Sequence, residues 1–459
     1  IRQKMTEYAY KYRMTQIFRQ KMKKFFFVGA GGISMSGLAI CLKEWGCEVW
    51  GSDLYPNAQT AMLEKRGIPV SIGADPSYLR DADIVVRSSA VPDGDVQIVA
   101  ARTRGIPVID RADLLSQIAS QFENVIGVAG CHGKTTTTAM CAHVLDVCAG
   151  SCSAHIGGED YEYGNFRLYG ERYFVTEACE YKGNFLRLHP DLALILNTDA
   201  DHLECYGGES GLCEAYRTFA RGAKACIIRS GDRLVSSIGK ALTYGFEKGC
   251  FVSASDLRAS HGLFSFRLCS GGEYSERVRL NVYGRHNVLN ALAAAAVARY
   301  YGYPLRMAAE GLERFTGIRR RFENIGTLCG ARCIADYAHH PREIEATLAV
   351  ARQVCEGRLF VVFQPHTYSR TRLLFDDFVR VLSGIERLVL YKTYPAREYF
   401  DAAGSALTLS EHLPDSLYIE SVRELEIYLN CSLSAGDTVL FLGAGDIYYA
   451  AKQVLKNAK

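Results

Sequence analysis

Val125–Thr138 reads V-I-G-V-A-G-C-H-G-K-T-T-T-T. The first residues are apolar with glycine interruptions, the pattern of a short buried strand. Gly130-Cys131-His132-Gly133 then forms a turn, and Lys134-Thr135-Thr136 opens a helix. A strand, a glycine turn and Lys-Thr at a helix N-terminus make a cradle for phosphate, because backbone N–H groups and the helix dipole converge on an anion. The loop is a shortened form, G-x-x-G-K-T, of the usual G-x-x-x-x-G-K-[ST]. Lys134 is positioned for the β- and γ-phosphates, and the Thr135 hydroxyl for Mg²⁺.

Working outward from this loop, the 459 residues suggest about three domains. A hydrophobic share of 48% with 22% charged residues is that of a globular protein, and a net charge of +3 is too small to argue for nucleic acid or a membrane surface. No apolar run reaches the ~20 residues that span a bilayer. Sixteen scattered cysteines, without paired C-x-x-C units, read as reduced small core residues of a cytoplasmic protein rather than a disulfide framework. Residues 1–22, rich in Lys, Arg, Tyr and Gln, lack the apolar core of a signal peptide and are assigned no role.

On the N-terminal side, F-F-F-V-G-A-G-G-I-S-M-S-G (Phe25–Gly37) is again a strand, a glycine turn and a helix start. Its Gly29-x-Gly31-x-x-Ser34 resembles a dinucleotide fingerprint whose third glycine is replaced by Ser34, and Asp53 ends the next strand where a ribose-binding acid belongs. Two readings are open here: NAD, or the diphosphate of another nucleotide such as a UDP-sugar. Gly31, Gly32, Ile33, Ser34, Asp53 and Ser89 are the candidate contacts. Strands at Ile68–Ile72, Ile84–Arg87 and Pro107–Ile109, with a helix over Ala112–Ser120, continue a βαβ rhythm to about residue 123.

On the C-terminal side, the helix expected over Thr136–Val147 is followed by Y-F-V-T-E, ending in Glu177, and L-A-L-I-L-N, running into T-D-A-D-H with His202. Acids and histidines at such strand ends, beside a phosphate loop, are placed to hold Mg²⁺. Leu257–Leu280 alternates like a small antiparallel appendage, and Gly284–Ala298 is strongly helical, with Asn287 and Asn290 near its start. Arg319-Arg320-Arg321 is a basic turn able to bring an arginine to phosphate. A further α/β unit follows, with strands at Ile334–Tyr337, Leu359–Phe363, Leu388–Tyr391 and Thr438–Leu442. Its strand ends carry D-Y-A-H-H-P and Q-P-H-T-Y-S-R-T, hence His339, His366 and Arg370.

From Phe25 onward these motifs, in this order, resemble the Mur ligases of peptidoglycan synthesis. The match rests on G-A-G-G-I-S-M-S-G, G-C-H-G-K-T-T-T-T, E-A-C-E-Y, N-T-D-A-D-H, G-R-H-N-V-L-N-A with R-R-R-F-E, and D-Y-A-H-H-P with Q-P-H-T-Y-S-R-T. The resemblance implies an α/β chain of three domains: a Rossmann-like UDP-sugar domain (23–123), a P-loop ATPase-like central domain (124–317) and a mobile, Rossmann-like C-terminal ligase domain (318–459). It implies ATP-dependent joining of L-alanine to the lactyl carboxylate of UDP-N-acetylmuramate through an acyl phosphate, with Mg²⁺, by a cytoplasmic monomer or weak homodimer. It implies that Gly130 to Thr136, Asn290 and Arg321 face ATP. Thr135, Glu177 and His202 then hold the metal, and Lys134 acts on the phosphates. His339, His366 and Arg370 line the amino-acid entry, where His339 helps deprotonate the incoming ammonium. Three positions depart from the family pattern: Cys131 and Thr367 replace a Thr and an Arg, and Cys179 replaces the Asp of E-A-D-E. The alternatives are attachment of a recycled tripeptide to the same sugar, an NAD-dependent oxidoreductase, or a purely regulatory nucleotide-binding protein.

Overall fold

The computed structural model describes residues 23–199, 203–396 and 398–457. Three sheets organise them. The first is parallel, ordered β3-β2-β1-β4-β5, from β1 (Lys24–Val28), β2 (Glu48–Asp53), β3 (Val70–Ile72), β4 (Ile84–Arg87) and β5 (Val108–Asp110). β1 is F-F-F-V without polar alternation because both of its faces are covered. Phe25 and Phe27 join one buried cluster, and Phe26 and Val28 the opposite one.

The second sheet has ten described strands. β6 (Asn124–Ala129) lies between β10 (Leu192–Ile195) and β9 (Tyr173–Glu177), parallel to both. Beyond β9 come β7 (Ser153–Asp160) and β8 (Gly164–Arg167). Beyond β10 come β11 (Ala225–Arg229), β12 (Leu242–Gly245), β13 (Val252–Ser260), β14 (Leu263–Ser270) and β15 (Glu273–Arg279). The expected antiparallel appendage is this end, with β14 and β15 antiparallel. The third sheet runs β16-β17-β21-β18-β19-β20, from β16 (Glu323–Leu328), β17 (Ala331–Asp336), β18 (Leu359–Phe363), β19 (Leu388–Tyr391), β20 (Ser416–Ile419) and β21 (Thr438–Leu442). Only its β16–β17 pair is antiparallel. In β18, Phe360 and Val362 face one core, and Val361 and Phe363 the other.

The described chain forms two compact units. The first runs to Leu257 and includes Ser265–Arg279 and Asn287–Thr316; it holds the first sheet and nearly all of the second. The second comprises Arg258–Phe264, Leu280–His286 and the chain from Gly317 on. No helix among the described residues is long and apolar enough to cross a membrane.

In the first unit the helix Lys134–Ala149 begins two residues before the expected start, so Lys134 and Thr135 are its first residues. It is nearly all buried, and it packs against the helix Leu305–Arg314 through Gly311. A Cβ on Gly311 would stand 2.5 Å from Val144 Cα and 3.0 Å from His143 O, both main-chain atoms that cannot swing away. Gly311→Ala is therefore expected to cost about 1–3 kcal/mol and lower the melting temperature by several degrees. Gly222→Ala, where nothing lies within 4 Å of the added methyl, should leave it within a degree or two. Thermal melts of both variants check this.

Candidate active site

The loop after β6 is shaped by two left-handed glycines, Gly130 (φ +143°) and Gly133 (φ +85°). Gly133 N-caps the helix, and a Cβ there would stand 2.8 Å from Asn290 Oδ1. Asn290, buried on the helix Arg285–Tyr300, donates its own amide to Asn287 Oδ1 at 2.9 Å. The loop main chain is pinned by Asn197, which accepts from His132 N (3.0 Å) and donates to His132 O (2.9 Å). The Cys131 thiol donates to Asp199 O at 2.8 Å.

Lys134 folds back over this loop. Its Nζ donates to the carbonyls of Gly130 and Cys131 and to both oxygens of the buried Glu180, at 3.0 and 2.9 Å. Burial opposes the ammonium charge, but Glu180, aided by Glu177, outweighs it and holds the Lys134 pKa above its ordinary value. A permanent cation is thus held where the loop and helix N-terminus point.

Glu177, at the end of β9, accepts from Gly157 N at 2.7 Å. A Cβ at Gly157 would fall 2.4 and 2.5 Å from the two carboxylate oxygens, so only glycine leaves room for this acid. Ahead of it, Thr176 Oγ1 meets His155 Nδ1 at 3.0 Å, and His155 Nε2 meets Ser34 Oγ at 2.9 Å. Ser34 opens the helix Ile33–Glu44 after the N-terminal glycine turn, so one imidazole ties that turn to β9, the strand beside β6. Arg111 Nη1 also donates to Ser34 Oγ, at 3.1 Å. In the same loop Gly31 N donates to Asp53 Oδ2 at 2.8 Å. Gly32 and Ser89 are exposed, and Ile33 is half-buried.

In the second unit, β17 and β18 end at neighbouring histidines. The His339 and His366 rings lie 5.7 Å apart, and His366 stacks on Tyr394 at 5.5 Å. His339 Nδ1 donates to Tyr337 O at 3.0 Å, which leaves Nε2 as the ring's proton-accepting nitrogen. His366 Nδ1 accepts from Arg370 Nη1 at 3.3 Å. Burial, with Arg370 adding to it, pushes His339 down to about 4. Burial, His339 and Arg370 push His366 down to about 3. Both rings are neutral near pH 7. His340 caps the helix Pro341–Val354, so the two adjacent histidines have separate tasks.

Models of three Mur ligase segments match the chain: the family's catalytic domain at 24–123, its middle domain at 128–298 and its glutamate ligase domain at 320–445. The chain belongs to the Mur ligase family. Its relatives include UDP-N-acetylmuramate–L-alanine ligases of Acetivibrio thermocellus (37% identity, covering 95% of this chain and 96% of that one) and Clostridium perfringens (38%, 95% and 98%). Among solved structures, the UDP-N-acetylmuramate-alanine ligase of Thermotoga maritima superposes with a TM-score of 0.83 at 31% identity, over 95% of this chain and 98% of that one. A murein peptide ligase of Psychrobacter arcticus shares the fold, with a TM-score of 0.75 at 23% identity, over 95% and 98%. As a Mur ligase, the chain is an ATP-dependent enzyme that forms a peptide-type bond.

The Mur ligase framework brings Gly130 to Thr136, Glu177 and Asn290 around one loop, and Ser34 to that loop's neighbour strand. Asn287 lies inside its helix rather than at the cap, and Asn290 lies against the phosphate loop. His202 falls outside the described residues. Arg321 belongs to the second unit, where it lies over the Tyr337 ring at 5.1 Å. Of its two neighbours, Arg320 donates to Gly443 O and Gly445 O, and Arg319 approaches Glu323. Among the described residues Arg321 has no ion pair. Four contributors went unread in the sequence: Glu180, Asn197, His155 and Arg111. The first two stand inside the quoted motifs E-A-C-E-Y and N-T-D-A-D-H. The last two carry no local signal.

His155 is buried and pushed down to about 3 by desolvation, with Arg111 adding to it. An unfolded histidine titrates near 6.5. Between roughly pH 6.5 and 4 the unfolded chain takes up a proton that His155, His339 and His366 refuse, so stability falls as pH drops through that window. The melting temperature should decline from about pH 7 to about pH 5, and His155→Gln should shrink the decline. A slope identical in wild type and variant would take His155 out of it.

Proposed function

We propose that this chain joins L-alanine to the lactyl carboxylate of UDP-N-acetylmuramate at the expense of ATP, for peptidoglycan precursor synthesis in the cytoplasm. The observation that carries the reading is the buried Lys134–Glu180 pair on a left-handed glycine loop, in a chain whose full-length relatives bear that ligase name. A carboxylate is a poor acyl donor at neutral pH. Its attack on the γ-phosphorus of ATP gives an acyl phosphate and ADP. The neutral amine of L-alanine then attacks the acyl carbon, and phosphate leaves.

Gly130 to Thr136 with Asn290 take the nucleotide, and Lys134 offsets charge on the transferring phosphoryl group. Gly31 to Ser34, Asp53 and Ser89 take the UDP-sugar. Thr135, Glu177 and His202 are the proposed Mg²⁺ ligands. The cradle at Gly157, which a Cβ would fill, fits this role by presenting a hard carboxylate oxygen beside the loop. When bound, Mg²⁺ supplies further charge neutralisation at the phosphates.

His339 is suited to accept a hydrogen bond from the incoming ammonium through Nε2, since Nδ1 is spent on Tyr337; burial lowers its basicity to about 4, so it orients the amine and passes its proton on rather than keeping it. Arg370 is suited to grip the amino-acid carboxylate. Its neighbour Arg372 is held by Asp401 at 2.7 Å, whereas the Arg370 guanidinium hydrogen-bonds only the His366 ring among the described residues.

Two outcomes test the reading. Lys134→Ala should lower turnover at least ~100-fold while UDP-N-acetylmuramate affinity stays near wild type, measured by phosphate release and calorimetry. Arg370→Ala should raise the KM for L-alanine by about 10- to 150-fold, whereas Arg372→Ala should leave it near wild type. A KM that moves only with Arg372 would reassign the carboxylate site. Substituting a tripeptide for L-alanine in the same assay should give no turnover.

A further inference from the structure

Arg111 opens the helix Arg111–Ala119, at the carboxyl end of β5. Its side chain points into the first unit and makes one hydrogen bond among the described residues, to a neutral hydroxyl, Ser34 Oγ at 3.1 Å. The adjacent carboxylate is committed elsewhere. Asp110 is bound by Arg87 at 2.8 Å and by Arg187 at 3.0 Å, and Arg187 also takes Asp113. A largely buried guanidinium without a carboxylate partner is costly, and proteins place such a charge where an anion will meet it.

The hydrogen bonds around it have one consistent direction. Thr176 Oγ1 donates to Glu177 O at 3.4 Å, so it accepts from His155 Nδ1–H. His155 Nε2 then accepts from Ser34 Oγ–H, and the Ser34 oxygen accepts from Arg111. Desolvation, with Arg111 adding to it, keeps His155 neutral at about 3, which this direction requires. The chain runs from Arg111 through the sugar loop to the residue that carries the proposed metal-binding acid. It fixes one N–H of a planar fork and leaves the fork's other donors for a ligand. Arg111 is also within electrostatic reach of Glu177 and Cys179, on the phosphate-loop side.

We propose that Arg111 binds an oxyanion of the UDP-sugar substrate, either its diphosphate or its lactyl carboxylate, and that the Ser34–His155–Thr176 chain orients it. The proposal rests on the ligase reading above, which names the substrate but gives Arg111 no part.

The test is calorimetric binding of UDP-N-acetylmuramate and of UDP-N-acetylglucosamine, which keeps the diphosphate and lacks the lactyl carboxylate, to the full chain. Arg111→Gln should weaken UDP-N-acetylmuramate binding by about 10- to 150-fold. Arg111→Lys, which keeps the charge but not the fork, should recover part of the loss. ATP affinity and the melting temperature serve as fold controls, and the lysine variant decides if the glutamine variant does not fold. A merely structural role would move the fold controls and spare the ligand difference. A loss shared by both UDP-sugars assigns the diphosphate, and a loss confined to UDP-N-acetylmuramate assigns the carboxylate. If the variants bind UDP-N-acetylmuramate as tightly as wild type, the Arg111 assignment is overturned. If wild type binds neither UDP-sugar, the ligase reading itself fails, and the two failures are told apart by that arm.

Discussion

A buried ammonium has to be paired, and Lys134 sets that demand at the centre of the first unit. The helix N-terminus places the lysine over its own loop, so two of its acceptors are the loop carbonyls of Gly130 and Cys131. The third, Glu180, must come from outside, and the chain after β9 is bent to bring it. Lys182 (φ +53°) and Gly183 (φ +68°) both take left-handed backbone just beyond it, and the Tyr206 hydroxyl donates to the Glu180 carbonyl. The strain of a non-glycine residue at positive φ is tolerable where it completes a charge pair of this kind. The pair holds the lysine charged in the absence of nucleotide. A phosphate arriving at the loop exchanges one anionic partner for another rather than meeting a neutral amine.

What could be read from the sequence follows the range of the interaction. β4, β18, β19 and β21 match their expected spans because each is an apolar run bounded by polar punctuation, a local property. β7, β8 and the helix Glu209–Gly222 passed unread; β7 holds the glycine pair Gly157-Gly158, whose strand placement depends on tertiary contact rather than on pattern. The phosphate loop and the paired histidines were legible because motif residues lie next to one another. His155 and Arg111 were not, since their partner Ser34 lies 121 and 77 residues away. Packing of the helix Ile33–Glu44 against β7 and β8 brings Ser34 to His155, a tertiary contact that no local pattern announces. A lone His in S-A-H-I-G is indistinguishable from any core histidine until its two ring nitrogens have partners.

The three departures from the family pattern have separate physical consequences. Cys131 donates its thiol hydrogen to Asp199 O, as a hydroxyl would from the same position, so the change spares the loop geometry. Cys179 is different in kind. Desolvation and the nearby Glu180 raise its pKa despite Lys134, so a neutral thiol stands where the family carries a carboxylate. The environment of Lys134 thus has one negative charge fewer, and Glu180 carries more of the pairing.

Thr367 bears on the second unit in another way. It adopts φ +66° and N-caps the short helix Tyr368–Leu373, accepting from Arg370 N at 3.4 Å, while Thr371 Oγ1 donates to its carbonyl at 2.8 Å. A β-branched residue at positive φ is unfavourable by itself, and here two hydrogen bonds on the same turn hold it. The side chain that replaces an arginine therefore fixes the backbone of the remaining one. Glu398 reinforces the turn by accepting from Ser369 N at 2.9 Å. Its carboxylate is held below the usual range; burial works against this, but the hydrogen bonds from Ser369 and Thr367 outweigh it. In the proposed amino-acid site, the turn thus presents one arginine on a fixed backbone, with the neutral His339 nearby, in place of two arginines. The guanidinium that remains is spent in part on the His366 Nδ1, so of the two neutral rings it is His339 that keeps an open nitrogen, Nε2.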